Sequence, residues 1–525
     1  MTLSLIDGGV ILGYVLVVLA IGFHFARRRA GAEDYFLAGR RLGWLVIGVS
    51  LFASNISSTT LVGLAGSAYD TGISISNYEW MATIILVFFA IFFIPYYLRS
   101  RVYTMPEFLE RRYRPACRYY FSALTILGNV FIDTAGTLYA GALVVHAFFP
   151  NIPLWELGFI LALVAGVYTT AGGLAAVVYT DLIQGVILLI GAASMTFLAL
   201  ERVGSWEAVV AHTPPEMLSV IRPLDDATMP WLGTLIGVPV LGFYFWCTNQ
   251  FIVQRVLAAR NIRQARWGAL LAGLLKLPVL FIMVFPGIIA RQLYPHLARP
   301  DLVFPTLVGD ILPIGMKGLV LAGFIAAIMS SLDSTLNSAS TLITMDFVSA
   351  RRPAISDERL ASIGRLTTIM FMLISALWVP VVARASTLFE YLQSSLAYLF
   401  PPVVAVFLLG LFWKRANGTG ALIGMIIGHG VAIATFLLDR FTDWLPSVHF
   451  LILAGLFLVV TAAVIVVISL WTPPPPEERI RSFTWSAARM ADAVDDLPAV
   501  PWYQDYRWQS LALLLLTGWL VWAYR

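Results

Sequence analysis

Between Ser54 and Thr60 the chain sets six hydroxyl or amide side chains in seven positions, broken only by Ile56. They lie at the centre of an apolar stretch long enough to cross a bilayer. Polar or unwound backbone survives at membrane depth only where protein or a watered cavity surrounds it. Small residues follow at Gly63, Ala65, Gly66 and Ala68. Two readings fit: a broken membrane helix around a site for a small solute and an ion, or a polar seam between packed helices. A second oxygen-rich group lies in AAIMSSLDSTLNSAS. Ser330, Asp333 and Ser334 share one helical face by their spacing, with Ser331 adjacent and Ala327 one turn earlier. Hard cations prefer carbonyl, hydroxyl and carboxylate oxygens, so this stripe reads as a cation site, with a serine packing seam as the alternative.

Several ionisable or amide residues sit inside apolar runs. Lys276, in LLAGLLKLPVLFIMVF, has about ten apolar residues on either side. A lysine at the bilayer centre costs about 2.5–3.5 kcal/mol on insertion scales, so it must face a partner or a cavity, snorkelling being the bland alternative. Glu79, in NYEWMATI beside Tyr78 and Trp80, is either an interfacial charge or a cavity carboxylate that accepts hydroxyl hydrogen bonds. Asp181 begins an apolar helix and is either an N-terminal cap or an ion-pathway carboxylate. Asp133 is mid-segment and faces the bundle, without an assignment to solute, proton or structure. Gln393 offers both a donor and an acceptor, for a solute or for a helix end. The six histidines have no metal-ligand spacing, and no phosphate-binding glycine loop occurs. A catalytic cluster and ATP-driven pumping within this chain are therefore not expected.

The elements that position these residues follow from hydropathy. The 525 residues are 59% hydrophobic and 12% charged, about half the charge of a soluble domain. Mean hydropathy is +0.83. The chain reads as an all-α polytopic membrane protein. Spans of about 20 apolar residues give about fourteen segments, near 5–26, 43–69, 74–98, 118–149, 154–170, 174–200, 229–257, 264–291, 316–347, 361–385, 388–413, 419–438, 447–471 and 507–524. Basic residues cluster after the odd-numbered segments, at Arg27–Arg29, Arg99–Arg118, Arg255–Arg266, Arg351–Arg359 and Lys414–Arg415. The positive-inside rule then places both termini outside, and the small net charge of +4 reads as topology, not nucleic-acid binding. The loop near 472–506 opens with four prolines and is too short for an added soluble domain. Cys117 and Cys247 offer no disulfide framework.

Segments two and seven look broken alike, the latter by Gly233, Gly237, Pro239 and Gly242 before YFWCTNQ. Five segments apart, they cross in opposite directions. Matched interruptions in two halves point to a midplane transport site in an inverted repeat. The predicted organisation is a peripheral first helix and loop (1–39), a first five-helix repeat (40–200), an outer loop (201–228), a second repeat (229–415) and peripheral helices (416–525).

The ordered set LAGRRLGW, SLFASNIS, YEWMA, AGGLAAVVYTDLIQ, NQFIVQRVLAAR, SSLDSTLNSASTLITMD and FLLGLFWKR resembles the sodium/solute symporter family, and its sodium–glucose cotransporter branch most of all. The resemblance runs from about Tyr35 to Arg415. It implies a LeuT-type 5+5 inverted repeat, broken in its first and sixth core helices, with sodium-driven alternating access. Carried over by position, it implies a sodium ion held by the carbonyls of Ala53, Ile56 and Ala327 and the hydroxyls of Ser330 and Ser331. Asp181, Asp333 and Ser334 would serve a second sodium or an ion pathway. Glu79, Lys276, Trp246 and Gln393 match solute-binding positions, and Thr60 stands where relatives have Gln or His. Asn55, Tyr78 and Phe245 fall at the gate. Phe245 replaces a tyrosine held by the residue matching Asn55, and Ala82 and Gly242 replace a Ser and an Asn.

The function so implied is import of a sugar or polyol with sodium; the Arg-rich composition and the absence of targeting signals suit a bacterial inner membrane. A non-sugar solute is the alternative, as is proton coupling through Asp133, Asp181 or Asp333. A channel and a membrane enzyme fit less well.

Overall fold

The computed structural model describes residues 3–26, 38–169, 174–352, 354–442, 448–486 and 500–525. Each of the fourteen apolar segments is helical where it is described, and the described residues contain isolated bridges but no strand. Eleven spans meet a length and apolarity requirement for crossing a bilayer once each bent pair counts as one. Leu5–Ala26, Leu154–Thr169 and Tyr506–Ala523 complete the fourteen. In lipid the backbone must satisfy itself, so a run of apolar residues closes into helix by default. What needs explaining is where it does not.

The second segment breaks as expected. Helix α1 (Trp44–Asn55) and helix α2 (Ser58–Thr71) meet at 56°. Ile56 leaves the helical region, with φ −78° and ψ 76°, and Ser57 is extended. The seventh segment winds as α3 (Trp231–Phe243), loosens into a π-turn at Tyr244–Thr248, stops at the extended Asn249 and resumes as α4 (Gln250–Leu257). The Asn249 side chain caps the resumed helix by accepting from the Phe251 N–H.

Two further bends were not anticipated from the sequence. Helix α5 (Ile262–Lys276) turns by 42° into the stretch Leu280–Leu293, and Leu388–Leu399 turns by 52° into Pro401–Phe412. Pro278 and the Pro401–Pro402 pair stand at these bends, where a proline removes a backbone donor and clashes with the preceding turn. Helix α6 (Met316–Thr341) runs straight through the serine stripe before a π-turn at Leu342–Ser349.

Packing is tight where the broken helix meets its neighbours. A Cβ on Gly48 would lie 2.9 Å from the Gly268 carbonyl, and one on Gly268 would lie 2.6 Å from Ile47. These paired glycines let α1 and α5 cross almost backbone to backbone. Gly287 does the same against α2, where a Cβ would fall 2.2 Å from the Ala65 carbonyl. At the periphery, Asp7 accepts from the Gly315 and Gly318 N–H groups at 2.8 Å each, which ties the first helix to the start of α6.

Candidate functional site

The break between α1 and α2 frees backbone oxygens at mid-membrane. The Ser57 N–H turns to Asn55 O at 2.9 Å instead of continuing the helix to Ala53, and the Thr60 N–H bonds to Ser57 O at 3.1 Å. The carbonyls of Ala53 and Ile56 are thereby left without helical partners. Ser54, Asn55, Ser57, Thr59 and Thr60 line a cavity whose other walls include Ser330, Ser331 and Ser334 of α6. About 120 Å³ of it can be reached by the centre of a water molecule. The two oxygen-rich stretches, 270 residues apart in sequence, thus face one space. Ala327 and Asp333 are buried on α6, Asp333 behind this wall.

Asp181 bridges the two walls. Its carboxylate accepts from Ser330 Oγ at 2.6 Å on one oxygen, and from Ser50 Oγ at 2.7 Å and Ser54 Oγ at 3.3 Å on the other. Its counter-charge is Arg255, whose Nη2 donates to Asp181 at 3.1 Å and to Ser334 Oγ at 3.3 Å. The Arg255 Nε donates to Ser50 Oγ at 2.9 Å. Both charged side chains are 1% exposed. Hydropathy places Arg255 among the loop charges, but the residue is buried against Asp181. The signal was present: Arg255 is flanked by Val253, Val256 and Leu257, unlike Arg260 and Arg263. Ser50 was also missed.

Lys276 and Glu79 form a second buried pair. Lys276 donates to Glu79 at 2.5 Å and also to the Asn55 side-chain oxygen. Its ammonium stands 5.3 Å from the Trp246 ring centroid and 5.6 Å from that of Phe52. The lysine found the partner its depth demands. It lies behind the cavity wall, with no exposed surface, so what reaches the cavity is Glu79, Asn55 and Trp246. Asn55 matches a residue that holds a tyrosine in relatives; with Phe245 in place of that tyrosine, it accepts from Lys276. Phe245 packs edge-on to Trp246 at 5.2 Å and to Phe251 at 5.8 Å. Tyr78 packs edge-on to Phe389 at 5.0 Å, and both line the cavity. The Thr60 hydroxyl donates to Asn55 O at 2.6 Å, stiffening the break, and retains its acceptor capacity. Gln393, Ala82 and Gly242 are also at the wall. So is Asp133, whose backbone carbonyl accepts from Thr137 Oγ1 at 2.7 Å.

The arrangement provides oxygen ligands for a hard cation beside a hydroxyl- and amide-lined chamber with aromatic walls. It has the features of a transport site, not of a catalytic one.

Residues 35–428 match the model of the sodium:solute symporter family. The chain is 36% identical over 477 residues to the sodium/glucose cotransporter 1 of Oryctolagus cuniculus, covering 82% of this chain and 72% of that protein. It is 37% identical over 530 residues to the human sodium/myo-inositol cotransporter 2, covering 91% and 78%. Among solved structures, a Na+-coupled sialic acid symporter in a substrate-bound outward-open state matches with a TM-score of 0.76 at 24% identity. That match covers 90% of this chain and 99% of the symporter. Mhp1, a nucleobase-cation-symport-1 family transporter, matches with a TM-score of 0.55 at 14% identity, covering 86% and 99%. These likenesses establish the fold as a LeuT-type inverted repeat, in which the two interrupted segments are the first and sixth core helices. On the strength of its matched length and its relatives, the chain belongs to the sodium:solute symporter family, a family of transporters and not of enzymes.

Proposed function

We propose that this protein carries a sugar or polyol into the cell together with sodium, by alternating access. The observation that carries the reading is the meeting of the α1–α2 break with the α6 serines across one cavity. Sodium would be cargo, held by the carbonyls of Ala53, Ile56 and Ala327 and the hydroxyls of Ser330 and Ser331. That ion ties a broken helix to a continuous one, so it binds best in a conformation where the two lie close. A cation with equal affinity for both conformations would couple nothing. Glucose and myo-inositol, the solutes for which the relatives are named, support a neutral polyhydroxyl solute, which Glu79, Asn55, Gln393, Thr60 and Trp246 would bind.

Asp181, Asp333 and Ser334 remain the candidates for a second ion. The Arg255 guanidinium, bonded to Asp181 and Ser334, would have to be displaced by it. Tyr78 with Phe389 and Phe245 with Trp246 are the aromatic pairs we assign to the gates. The repeats are taken as 40–200 and 229–415, both termini as facing outward, and the membrane as a bacterial inner membrane.

One elementary charge moved through 100 mV releases about 2.3 kcal/mol, enough for roughly fiftyfold accumulation. The test is uptake of labelled glucose and myo-inositol into proteoliposomes under an inward sodium gradient. Uptake should collapse when choline replaces sodium. Equal uptake in choline would refute sodium coupling, and uptake that follows pH instead would favour a proton-coupled carrier.

A further inference from the structure

The cavity's charges do not balance. Glu79 is matched by Lys276 at 2.5 Å, and Asp181, behind the serine wall, by Arg255 at 3.1 Å. Asp133 also lines the cavity, and among the described residues its carboxylate takes no hydrogen bond and pairs with no cation. Of the donors near it, the Tyr244 hydroxyl is buried and makes no hydrogen bond, to Asp133 or to any other group, and the others are committed elsewhere. Asn129, one turn earlier, donates to Thr335 O at 3.3 Å and Ser338 Oγ at 3.1 Å. Thr134 exchanges its hydrogen bond with Thr335, and the Tyr391 hydroxyl donates to Phe131 O at 2.7 Å. Asp133 is only partly exposed, so water satisfies it incompletely. A carboxylate at membrane depth that takes no protein hydrogen bond is open to one from whatever enters the chamber.

We infer that Asp133 is the charge filter of the solute site. It accepts hydrogen bonds from O–H or N–H groups of the solute and admits neutral polyhydroxyl and amine-bearing molecules. It rejects molecules that carry a carboxylate. This deepens the proposed sugar or polyol reading and rests on it. Like charges about 6 Å apart at an effective dielectric of about 20 repel by an amount that corresponds to roughly a hundredfold in affinity. A hydroxyl or ammonium at the same place gains a charge-assisted hydrogen bond.

The test measures sodium-driven uptake of labelled glucose and myo-inositol, with glucose, glucosamine and glucuronate as competitors, on the wild type and on Asp133→Asn. In the wild type, glucuronate should compete about a hundredfold more weakly than glucose, and glucosamine at least as well as glucose. Asp133→Asn should bring glucuronate to within about tenfold of glucose and weaken glucosamine, while sodium dependence is retained. A wild type that accepts glucuronate as readily as glucose overturns the inference. So does a variant that loses neutral and acidic solutes in equal proportion, or one that loses sodium dependence, which would make Asp133 an ion ligand. Sodium-dependent thermal shift with neutral, aminated and carboxylated solutes reads the same preference without transport. If neither tracer enters wild-type vesicles the sugar reading fails. The inference then stands only if carboxylates still shift the wild type less than neutral and aminated solutes, and Asp133→Asn removes that gap. Otherwise it falls too.

Discussion

Replacing Arg255 by methionine should tighten sodium binding while destabilising the protein. The guanidinium and the Ser330 hydroxyl occupy opposite oxygens of the Asp181 carboxylate, at 3.1 and 2.6 Å. The positive charge therefore stands about 7 Å from a sodium bound at Ser330, where repulsion is on the order of 2 kcal/mol at an effective dielectric of about 20. Removing it leaves Asp181 buried with the Ser50 and Ser330 hydroxyls as donors and no counter-charge. Breaking a buried pair in this way costs about 3–5 kcal/mol of stability. A sodium ion at Ser330 then supplies the missing charge, and its apparent dissociation constant should fall by about ten- to thirtyfold. Sodium release to the inside should slow accordingly, lowering turnover at saturating solute. The assay is thermal unfolding of purified protein against sodium concentration, since an ion that binds only the folded state raises stability by RT ln(1 + [Na]/Kd). The double change Arg255→Met with Asp181→Asn should recover most of the lost stability in the absence of sodium and lose the sodium enhancement. A folded Arg255→Met variant with unchanged or weaker sodium affinity would refute the electrostatic account and leave Arg255 a purely structural tie.

Ser330→Ala or Ser331→Ala should raise the sodium concentration for half-maximal uptake by about ten- to a hundredfold, the worth of a ligand to a charged group. Solute affinity at saturating sodium should change little, which uptake measured along both concentration axes will show. Lys276→Met and Glu79→Gln should each lower the unfolding temperature and weaken solute binding, whereas the double variant should recover stability, because it leaves no lone buried charge. Gly287→Val should abolish folded protein in size-exclusion profiles, since its Cβ would lie 2.2 Å from the Ala65 carbonyl, while Gly13→Ala, with open space around it, should be silent. In the connection before α3, burial pushes the Asp226 carboxyl up. The Met229 N–H, the Thr228 hydroxyl and N–H and Arg222 outweigh burial and hold it at about 2. A carboxyl depressed by folding contributes stability above its unfolded value near 3.9 and loses it as pH falls through the folded one. The unfolding-temperature gap between wild type and Asp226→Asn should therefore hold steady from pH 7 to about 5 and close toward pH 2.

The broken α1–α2 helix was legible because apolar run and polar centre conflict within one segment, and only a cavity resolves the conflict. Lys276 was legible as a paired residue for the same reason, but its partners were not: Glu79 and Asn55 are 197 and 221 residues away in sequence. The bends at Pro278 and Pro401 were missed because proline in a membrane helix is common and its cost is set by tertiary context. Arg255 was misplaced because hydropathy reads a charge near the end of an apolar run as a loop residue. Here π-turn and break at Tyr244–Asn249 carry the helix on past the cavity and bring the charge back inside. The spacing of Ser330, Asp333 and Ser334 gave a shared face. In the structure Ser331 is at the cavity wall and Asp333 is behind it, a rotation that period alone does not fix.

Both buried ion pairs engage the last turns of the same half-helix. Asp181 and Arg255 hold Ser50, and Asp181 also holds Ser54; Lys276 holds Asn55. The free carbonyls of Ala53 and Ile56 lie in and just beyond that turn. Any movement of α1 relative to α5 or α4 must therefore exchange contacts of one or both pairs, and these are costly to break singly in a low dielectric. A cation that engages Ala53 and Ile56 lands on the segment whose alternative arrangements the pairs make discrete. That is the physical condition for coupling, two states biased by one ligand at a shared element, and it needs no longer path through the molecule. It also explains why sodium and solute effects should separate by wall. Serine changes on α6 act on the cation that holds α1, whereas Glu79 and Lys276 act through Asn55 on the face of α1 turned toward the solute.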